Sequence, residues 1–276
     1  MYEIVEKKVL APEIKLYKVN APLVARKARP GQFVILRVGE RGERIPLTIV
    51  DFDRGKGTIT IIFQEVGKTT KQLGLLGQGD CILNLVGPLG IPLEERFFGT
   101  VACAGGGVGT AEVYPLARAL KNAGNFVISI IGARSKELLV LEHEMRGVSD
   151  ELYITTDDGS KGIRGFVTEP LRAMLDGGRK IDLVIAVGPV PMMKAVSDLT
   201  REKGIKTLVS LNPLMLDGMG MCGVCRVTVG GRTRFTCVEG PMFDGHEVDF
   251  DELKARLQTY FEQERLSLQK FHGLVK

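Results

Sequence analysis

Hydrophobic positions along the chain fall into distinct regimes. Up to about residue 97 the apolar runs are short, with Gln32 to Val38, Thr58 to Phe63 and Cys81 to Val86 reading as strands. Turn-forming combinations punctuate them: Pro30-Gly31, Arg54-Gly55-Lys56-Gly57 and Gly77-Gln78-Gly79-Asp80. Short strands, regular turns and no long helix predict an antiparallel β barrel over residues 1–97. From 98 to 211 the apolar runs become continuous: Thr100 to Ala104, Phe126 to Ile131, Leu152 to Thr155, Asp182 to Val187 and Thr207 to Leu211. Such runs suit strands covered on both faces. Between them Val113, Leu116, Ala117 and Leu120 share one face of a helix that Gly124 would end. Strand and helix alternate, which predicts an α/β domain with a doubly wound parallel sheet.

Periodicity is then lost. Residues 212–245 are rich in glycine and cysteine, and this segment is expected to fold around something other than its own core. Residues 246–276 return to a helical pattern, with Leu253, Leu257, Tyr260 and Phe261 followed by Leu266 and Leu268. Little of the domain is left for this stripe to cover. It is expected either to contact another subunit or to pack back on the barrel.

Composition narrows the function classes. A length of 276 residues suits roughly two domains of about 150 residues each. Hydrophobic residues at 44% and charged residues at 25% exclude a disordered or fibrous chain. The net charge of +4 is spread along the chain, and aromatics are 6% with no Trp. Neither a basic arm nor a stacking platform for nucleic acid is expected. No apolar run nears the ~20 residues of a membrane span, and the first residues lack the apolar stretch of a signal peptide. The expectation is a cytoplasmic protein, away from nucleic acid and membrane. In a reducing compartment the cysteine cluster Cys222, Cys225 and Cys237 suggests metal rather than disulfides. With His143, His246 and His272 as the full histidine complement, and no G-x-S-x-G or Walker motif, hydrolase and P-loop chemistry find no support.

Four constellations carry candidate chemistry. Gly105-Gly106-Gly107-Val108-Gly109-Thr110 follows a strand and opens a helix, where bare backbone amides and the helix N-terminus favour a phosphate. It is either a dinucleotide loop or a tight strand-to-helix turn. The next strand ends in Gly132-Ala133-Arg134, without the acid of the full fingerprint. In the barrel half, Arg44-Ile45-Pro46-Leu47-Thr48 offers a hydroxyl to a ring edge, and Gly67-Lys68-Thr69-Thr70 offers amides, hydroxyls and an ammonium to a pyrophosphate. Asp217-x4-Cys222-x2-Cys225-x11-Cys237 keeps the plant-type iron–sulfur spacing with Asp in the first place. Zinc, with His246 as a fourth ligand, or free thiols are the alternatives. Gly188-Pro189 with Met192-Met193, and Asp157-Asp158-Gly159, follow strand ends where doubly wound sheets bind ligands. Cys81 and Cys103 sit in strand patterns and read as core.

The order of these pieces resembles the ferredoxin–NADP reductase superfamily. Pro46-Leu47-Thr48 and Gly67-Lys68-Thr69-Thr70 come first, then Gly87-Pro88-Leu89-Gly90, the loop from Ala104 to Ala111, and Gly188-Pro189 with Met192-Met193. The cysteine segment narrows the resemblance to the electron-transfer subunit of dihydroorotate dehydrogenase. It is more similar still to the small subunit of NADH-dependent ferredoxin–NADP oxidoreductase, also known as a sulfide dehydrogenase subunit. The resemblance implies FAD on Ile45, Pro46, Leu47, Thr48, Ile62, Phe63 and Gln64, with Gly67, Lys68, Thr69 and Thr70 at its pyrophosphate. An arginine usual before the proline is Ile45 here, with Arg44 one place early. NAD(H) would dock on Gly106, Gly107, Val108, Gly109, Thr110 and Ala111, near Gly132, Ala133 and Arg134, Asp157, Asp158 and Gly159, and Gly188, Pro189, Met192 and Met193. Arg134 and Lys136 leave NADP(H) open. A [2Fe–2S] cluster would use Asp217, Cys222, Cys225 and Cys237. The implied partner is a larger, glutamate-synthase-like flavoprotein with iron–sulfur clusters, which bifurcates electrons and reaches ferredoxin through the complex. A dihydroorotate dehydrogenase subunit and a redox-sensing NAD-binding module without turnover are the alternatives.

Overall fold

The computed structural model describes residues 1–274. The first half is built from β1 (Tyr2–Ala11), β2 (Ile14–Asn20), α1 (Pro22–Lys27), β3 (Phe33–Arg37), β4 (Arg44–Asp53), β5 (Thr58–Gln64), α2 (Lys68–Leu75), β6 (Cys81–Ile82) and β7 (Asn84–Leu89). The strands form a sheet in the order β6-β1-β2-β5-β4-β3-β7, and the pairings are antiparallel. The edge strands β6 and β7 are separated in sequence by Leu83 alone, so the sheet curls into a near-barrel. Its core packs Tyr17 edge-on to Phe63, with centroids 5.1 Å apart. The Tyr17 hydroxyl donates to the carbonyls of Leu73 and Leu76 at 2.8 and 2.7 Å, which ties α2 to the barrel.

The second half contains β8 (Thr100–Gly106), α3 (Gly109–Asn122), β9 (Phe126–Ala133), α4 (Glu142–Gly147), β10 (Glu151–Thr156), β11 (Ile163–Arg164), α5 (Thr168–Asp176), β12 (Leu183–Val187), α6 (Val190–Glu202) and β13 (Thr207–Ser210). Strands β8 to β13 pair in parallel in the order β11-β10-β9-β8-β12-β13. The chain runs outward from β8 to one side, then returns to lay β12 on the other. That reversal opens a crevice at the carboxyl ends of β8 and β12. Val113, Leu116, Ala117 and Leu120 of α3 are all buried, as the periodicity predicts.

The cysteine-rich segment is expected to fold around something other than its own core, yet part of it joins the core of the nucleotide half. After the hairpin β14 (Arg226–Val229) and β15 (Arg232–Phe235) and the short α7 (Thr236–Glu239), strand β16 (Met242–Asp244) adds antiparallel to β13. Val227 and Val229 join the hydrophobic cluster of the nucleotide half. A surface is thereby created that α8 (Phe250–Leu257) covers. The stripe is expected to meet another subunit or the barrel; its first part instead meets this hairpin. Leu253 is 0% exposed and Leu257 packs on the same cluster, while Tyr260, just before α9 (Phe261–Leu274), and Phe261 and Leu266 within it stay exposed. Helix α9 lies against α2 of the barrel.

Leu253→Ala should cost about 2–5 kcal/mol, the usual range for emptying a buried leucine site. Urea unfolding followed by circular dichroism measures it. A loss below about 1 kcal/mol would mean that α8 is not part of the core.

Candidate functional site

Three glycines shape the crevice. The turn after β8 carries Gly107 at φ +58°, and its amide donates to the Gly132 carbonyl at 2.7 Å. A Cβ at Gly109 would lie 2.4 Å from the Val187 carbonyl oxygen, so glycine lets α3 start against the end of β12. A Cβ at Gly107 would meet nothing within 4 Å, because that position faces the open cleft. The cleft has a volume of about 690 Å³. Its walls bring together Gly106, Gly107, Val108 and Gly109, the strand-end residues Gly132, Ala133 and Arg134, and Asp157, Gly188, Pro189 and Met192. These are residues the motifs singled out. The barrel side supplies Gln64 and the β1–β2 turn, Pro12 to Ile14.

The cleft fits a dinucleotide. The buried Thr155 hydroxyl lines it and has no hydrogen-bond partner. A Cβ at Gly132 would come within 2.8 Å of that hydroxyl and 2.7 Å of Val167, so only glycine keeps the space open. The Gly107 amide is taken by Gly132, which leaves the amides of Val108 and Gly109, at the start of α3 on the cleft wall, for a phosphate. Sequence reasoning passed over Thr155, the β1–β2 turn, Glu112 and the exposed Phe166 at the cleft. Thr155 had a signal in its place at the carboxyl end of β10; the β1–β2 turn had none, being far away in the chain.

Other expected residues lie behind the cleft surface. Thr110 and Ala111 are buried, and Ala111 packs with Ile14 and Ile62 in the seam between the two halves. Met193 is 0% exposed in the core, whereas Met192 reaches the cleft, since successive helical residues point about 100° apart. Asp158 accepts the Ser160 amide and hydroxyl at 2.9 and 2.6 Å and closes its own turn, with Gly159 at φ +77°. The Lys136 ammonium pairs with Glu137 and lies outside the cleft-lining set.

On the barrel, strand alternation sorts the expected flavin contacts. Ile45 and Leu47 pack on the barrel core and Phe63 lies within it, so these three support the face rather than form it. Pro46 and Thr48 share the other face, and Ile62 and Gln64 lie toward the nucleotide half. Arg44 is exposed and donates to the Leu216 carbonyl at 3.2 Å, which ties β4 to the cysteine segment. The tract Gly67 to Thr70 is the start of a helix rather than a loop: Gly67 caps α2. Its hydroxyls are engaged within the chain. Thr69 donates to Glu43 at 2.5 Å, and Thr70 and Gly67 close a reciprocal cap. The anion-binding capacity there belongs to the free amides of the first turn and to Lys68. Glu264 of α9 faces Glu43, and burial together with that charge raises its pKa.

Glu112 lines the cleft from the first turn of α3. Thr48 Oγ1 donates to its Oε2 at 3.0 Å across the seam. Burial pushes its carboxyl up from the usual 4.5 to about 7, with the Thr48 hydrogen bond pulling the other way.

In the cysteine segment, Cys225 and Cys237 are buried beside Phe33, Ile35 and Met215. The Cys237 amide donates to Cys225 Sγ at 3.5 Å, and burial with that neighbour pushes the Cys237 thiol up to about 12. Cys222 is exposed. Asp217 accepts the amides of Met219 at 2.9 Å and Cys222 at 2.7 Å, and the Met219 amide above all lowers its pKa. The expected ligands are thus joined as two pairs, and among the described residues no three such side chains converge on one point. The donor set nevertheless suits an iron–sulfur cluster: thiols at the right spacing, and positive φ at Gly218, Gly220 and Gly223 that turns the loop around them. The buried Thr236 hydroxyl next to Cys237 has no partner. From α8, Arg256 donates to the Val224 carbonyl at 3.0 Å, between Cys222 and Cys225.

Known proteins resemble this chain in sequence and fold. Residues 212–249 match the iron–sulfur cluster binding domain of dihydroorotate dehydrogenase B. The chain is 48% identical over 269 residues to a Thermotoga maritima dihydroorotate dehydrogenase B electron transfer subunit homolog, covering 98% of this chain and 95% of that protein. The chain belongs to the dihydroorotate dehydrogenase B electron-transfer subunit family. Within that family it is 35% identical over 248 residues to the electron transfer subunit of Desulforamulus reducens, covering 87% of this chain and 94% of that one. A solved structure of an NADH-dependent reduced ferredoxin-NADP oxidoreductase superposes with TM-score 0.93 at 48% identity over 98% of both chains. A cytochrome P450 reductase of Amycolatopsis, 21% identical with TM-score 0.64 over 73% of this chain and 65% of that one, shares the fold. The family member described here is therefore a ferredoxin–NADP reductase-like flavoprotein oxidoreductase subunit that carries an iron–sulfur binding domain and transfers electrons. Among the described residues no helix is long and apolar enough to cross a membrane.

Two outcomes follow for this site. A carboxyl whose pKa is higher in the folded chain than in the unfolded one binds its proton more tightly when folded. Glu112 therefore contributes stability at low pH that is lost as pH rises from about 4.5 to about 7. Glu112→Gln should flatten that slope, so the urea midpoint of the variant should overtake wild type above pH 7; parallel curves would contradict it. Arg256→Ala should lower iron retained after gel filtration by about tenfold or more, with Arg256→Lys intermediate, as for other groups that hold metal-binding loops. Unchanged iron would show that the Val224 contact is incidental.

Proposed function

We propose that this subunit exchanges hydride between NAD(H) and FAD and relays single electrons through a [2Fe–2S] cluster to a larger partner. The observation that carries the reading is a cleft shared by the two halves. Gly107 and Gly188 of the nucleotide half and Gln64 of the barrel line one space, so a nicotinamide held there meets whatever lies on the barrel face. A flavin accepts two electrons as hydride and returns them singly, and a cluster carries one at a time.

The chain's own residues supply position. The amides at the start of α3 hold the dinucleotide's phosphates, and Thr155 gives its unpartnered hydroxyl to the ribose or phosphate. Pro46 and Thr48 hold the flavin ring edge, and the first turn of α2 with Lys68 holds its pyrophosphate. Asp217, Cys222, Cys225 and Cys237 ligate the cluster. The exposed Arg134 at the cleft gives NADP(H) a hold as well. The partner in this reading is a glutamate-synthase-like flavoprotein with iron–sulfur clusters; that electrons reach ferredoxin through it is supported by the ferredoxin-NADP oxidoreductase structure matched over 98% of this chain. Service to a dihydroorotate dehydrogenase is the second reading, favoured by the family of residues 212–249. Asp217 in the place of a first cysteine favours the first.

The test is the absorption spectrum with FAD and iron content of the purified chain. Flavin and iron–sulfur bands together are expected, whereas a colourless, zinc-retaining protein would refute the proposal. Asp217→Cys should keep a cluster with an altered potential and spectrum, because thiolate is a softer ligand than carboxylate. Asp217→Ala should lose it, as Cys222→Ala should. Superimposable spectra and redox titrations of wild type and Asp217→Cys would exclude Asp217 as a ligand.

A further inference from the structure

Glu112 stands outside every motif that suggested a ligand, yet it combines a place on the cleft wall with a hydrogen bond to Thr48 of the barrel. It sits in the first turn of α3, which packs against β4, β8, β9, β12 and α4. Other charged groups sharing the cleft are Glu13 of the β1–β2 turn, Arg134 after β9 and Asp157 after β10. On β4, Asp51 is engaged by Arg118 of α3 at 2.7 Å. From β8 the titratable group is the buried Cys103, and α4 carries Glu142, His143, Glu144 and Arg146, with Glu142 paired to Arg146 and Lys161. Thr48 is the group that holds the Glu112 carboxyl by a hydrogen bond.

We propose that Glu112 takes up and releases a proton in step with the redox state of a flavin held against β4, with Thr48 as the link. The inference rests on the cofactor placement of the preceding section. A hydride brings the oxidised ring two electrons and one proton, so NADH leaves as NAD⁺ and the ring gains one negative charge. That charge raises the proton affinity of a neighbouring carboxylate. Glu112 then takes one proton from solvent through the cleft, and the local charge is balanced. When the two electrons depart, the ring gives up the proton that the hydride brought, its negative charge is gone, and the carboxyl returns its own proton to solvent. A threonine hydroxyl suits this link, since it donates to a carboxylate and accepts from a carboxylic acid. The carboxyl is thus held in place in both states. Burial already holds Glu112 at about 7, where a small added charge changes its occupancy most.

The experiment measures protons bound per flavin during anaerobic photoreduction in weak buffer with an indicator dye. Wild type, Glu112→Gln, Thr48→Val and Thr48→Ser are compared from pH 6 to pH 8. Wild type should bind more protons than Glu112→Gln, by up to about one per flavin and most near neutrality. Thr48→Val should shift the pH of maximal uptake, and Thr48→Ser should restore it. Equal uptake by wild type and Glu112→Gln would overturn the role of Glu112. A Thr48→Val profile identical to wild type would overturn the link. A wild type purified without flavin absorption would overturn the cofactor placement itself, and this is seen before any titration begins.

Discussion

The approach of α3 to the end of β12 sets the geometry on which the rest of the molecule depends. At Gly109 a Cβ would lie 2.4 Å from a carbonyl oxygen, and at Gly105 it would lie 2.7 Å from the Thr110 Cα. Neither distance is open to a side chain, so the helix can start where it does only on glycine. That start places the next residues between sheet and barrel. Ala111 then packs on Ile14 and Ile62, Glu112 meets Thr48, and Arg118 meets Asp51. The same turn that opens a nucleotide cleft therefore also docks the barrel beside it.

The forces across this seam differ in kind. The Arg118–Asp51 pair is partly exposed and screened by water, so it contributes little. The apolar seam of Ala11, Ile14, Val50, Ile62 and Ala111 contributes more, since each side chain there is removed from water. Hydride exchange needs the reacting atoms held about 3–3.5 Å apart. A packed apolar seam can hold such a register where exposed ion pairs cannot.

The nucleotide half was legible because its strands are buried on both faces and read as unbroken apolar runs. The barrel was legible in class but less so in detail. β1 interleaves Glu3, Glu6, Lys7 and Lys8 with its apolar residues, β4 contains Pro46 and Asp51, and neither reads as a strand by its run of apolar residues. The cleft residues adjoining the glycine loop came from local motif, whereas Pro12 to Ile14 arrive through topology. Within motifs the reading could not tell cleft from core: Met192 and Met193 are neighbours in sequence and part company in space. The tail misled because its covering surface, Val227 and Val229, lies in a hairpin that the glycine-rich pattern conceals.

The cysteine segment is tied to both halves. β16 extends the nucleotide sheet, Arg44 of the barrel reaches Leu216, and Cys225 and Cys237 pack on Phe33 and Ile35 of β3. In the proposed function, electrons that enter at the cleft pass to a segment packed against both halves of the chain. The most direct test of that account is an anaerobic titration of the purified chain with NADH, followed by absorption and electron paramagnetic resonance together. The account predicts that the flavin bands bleach and the signal of a reduced cluster rises in the same titration. A cluster that dithionite reduces but NADH leaves oxidised, at a potential within reach of NADH, would contradict it.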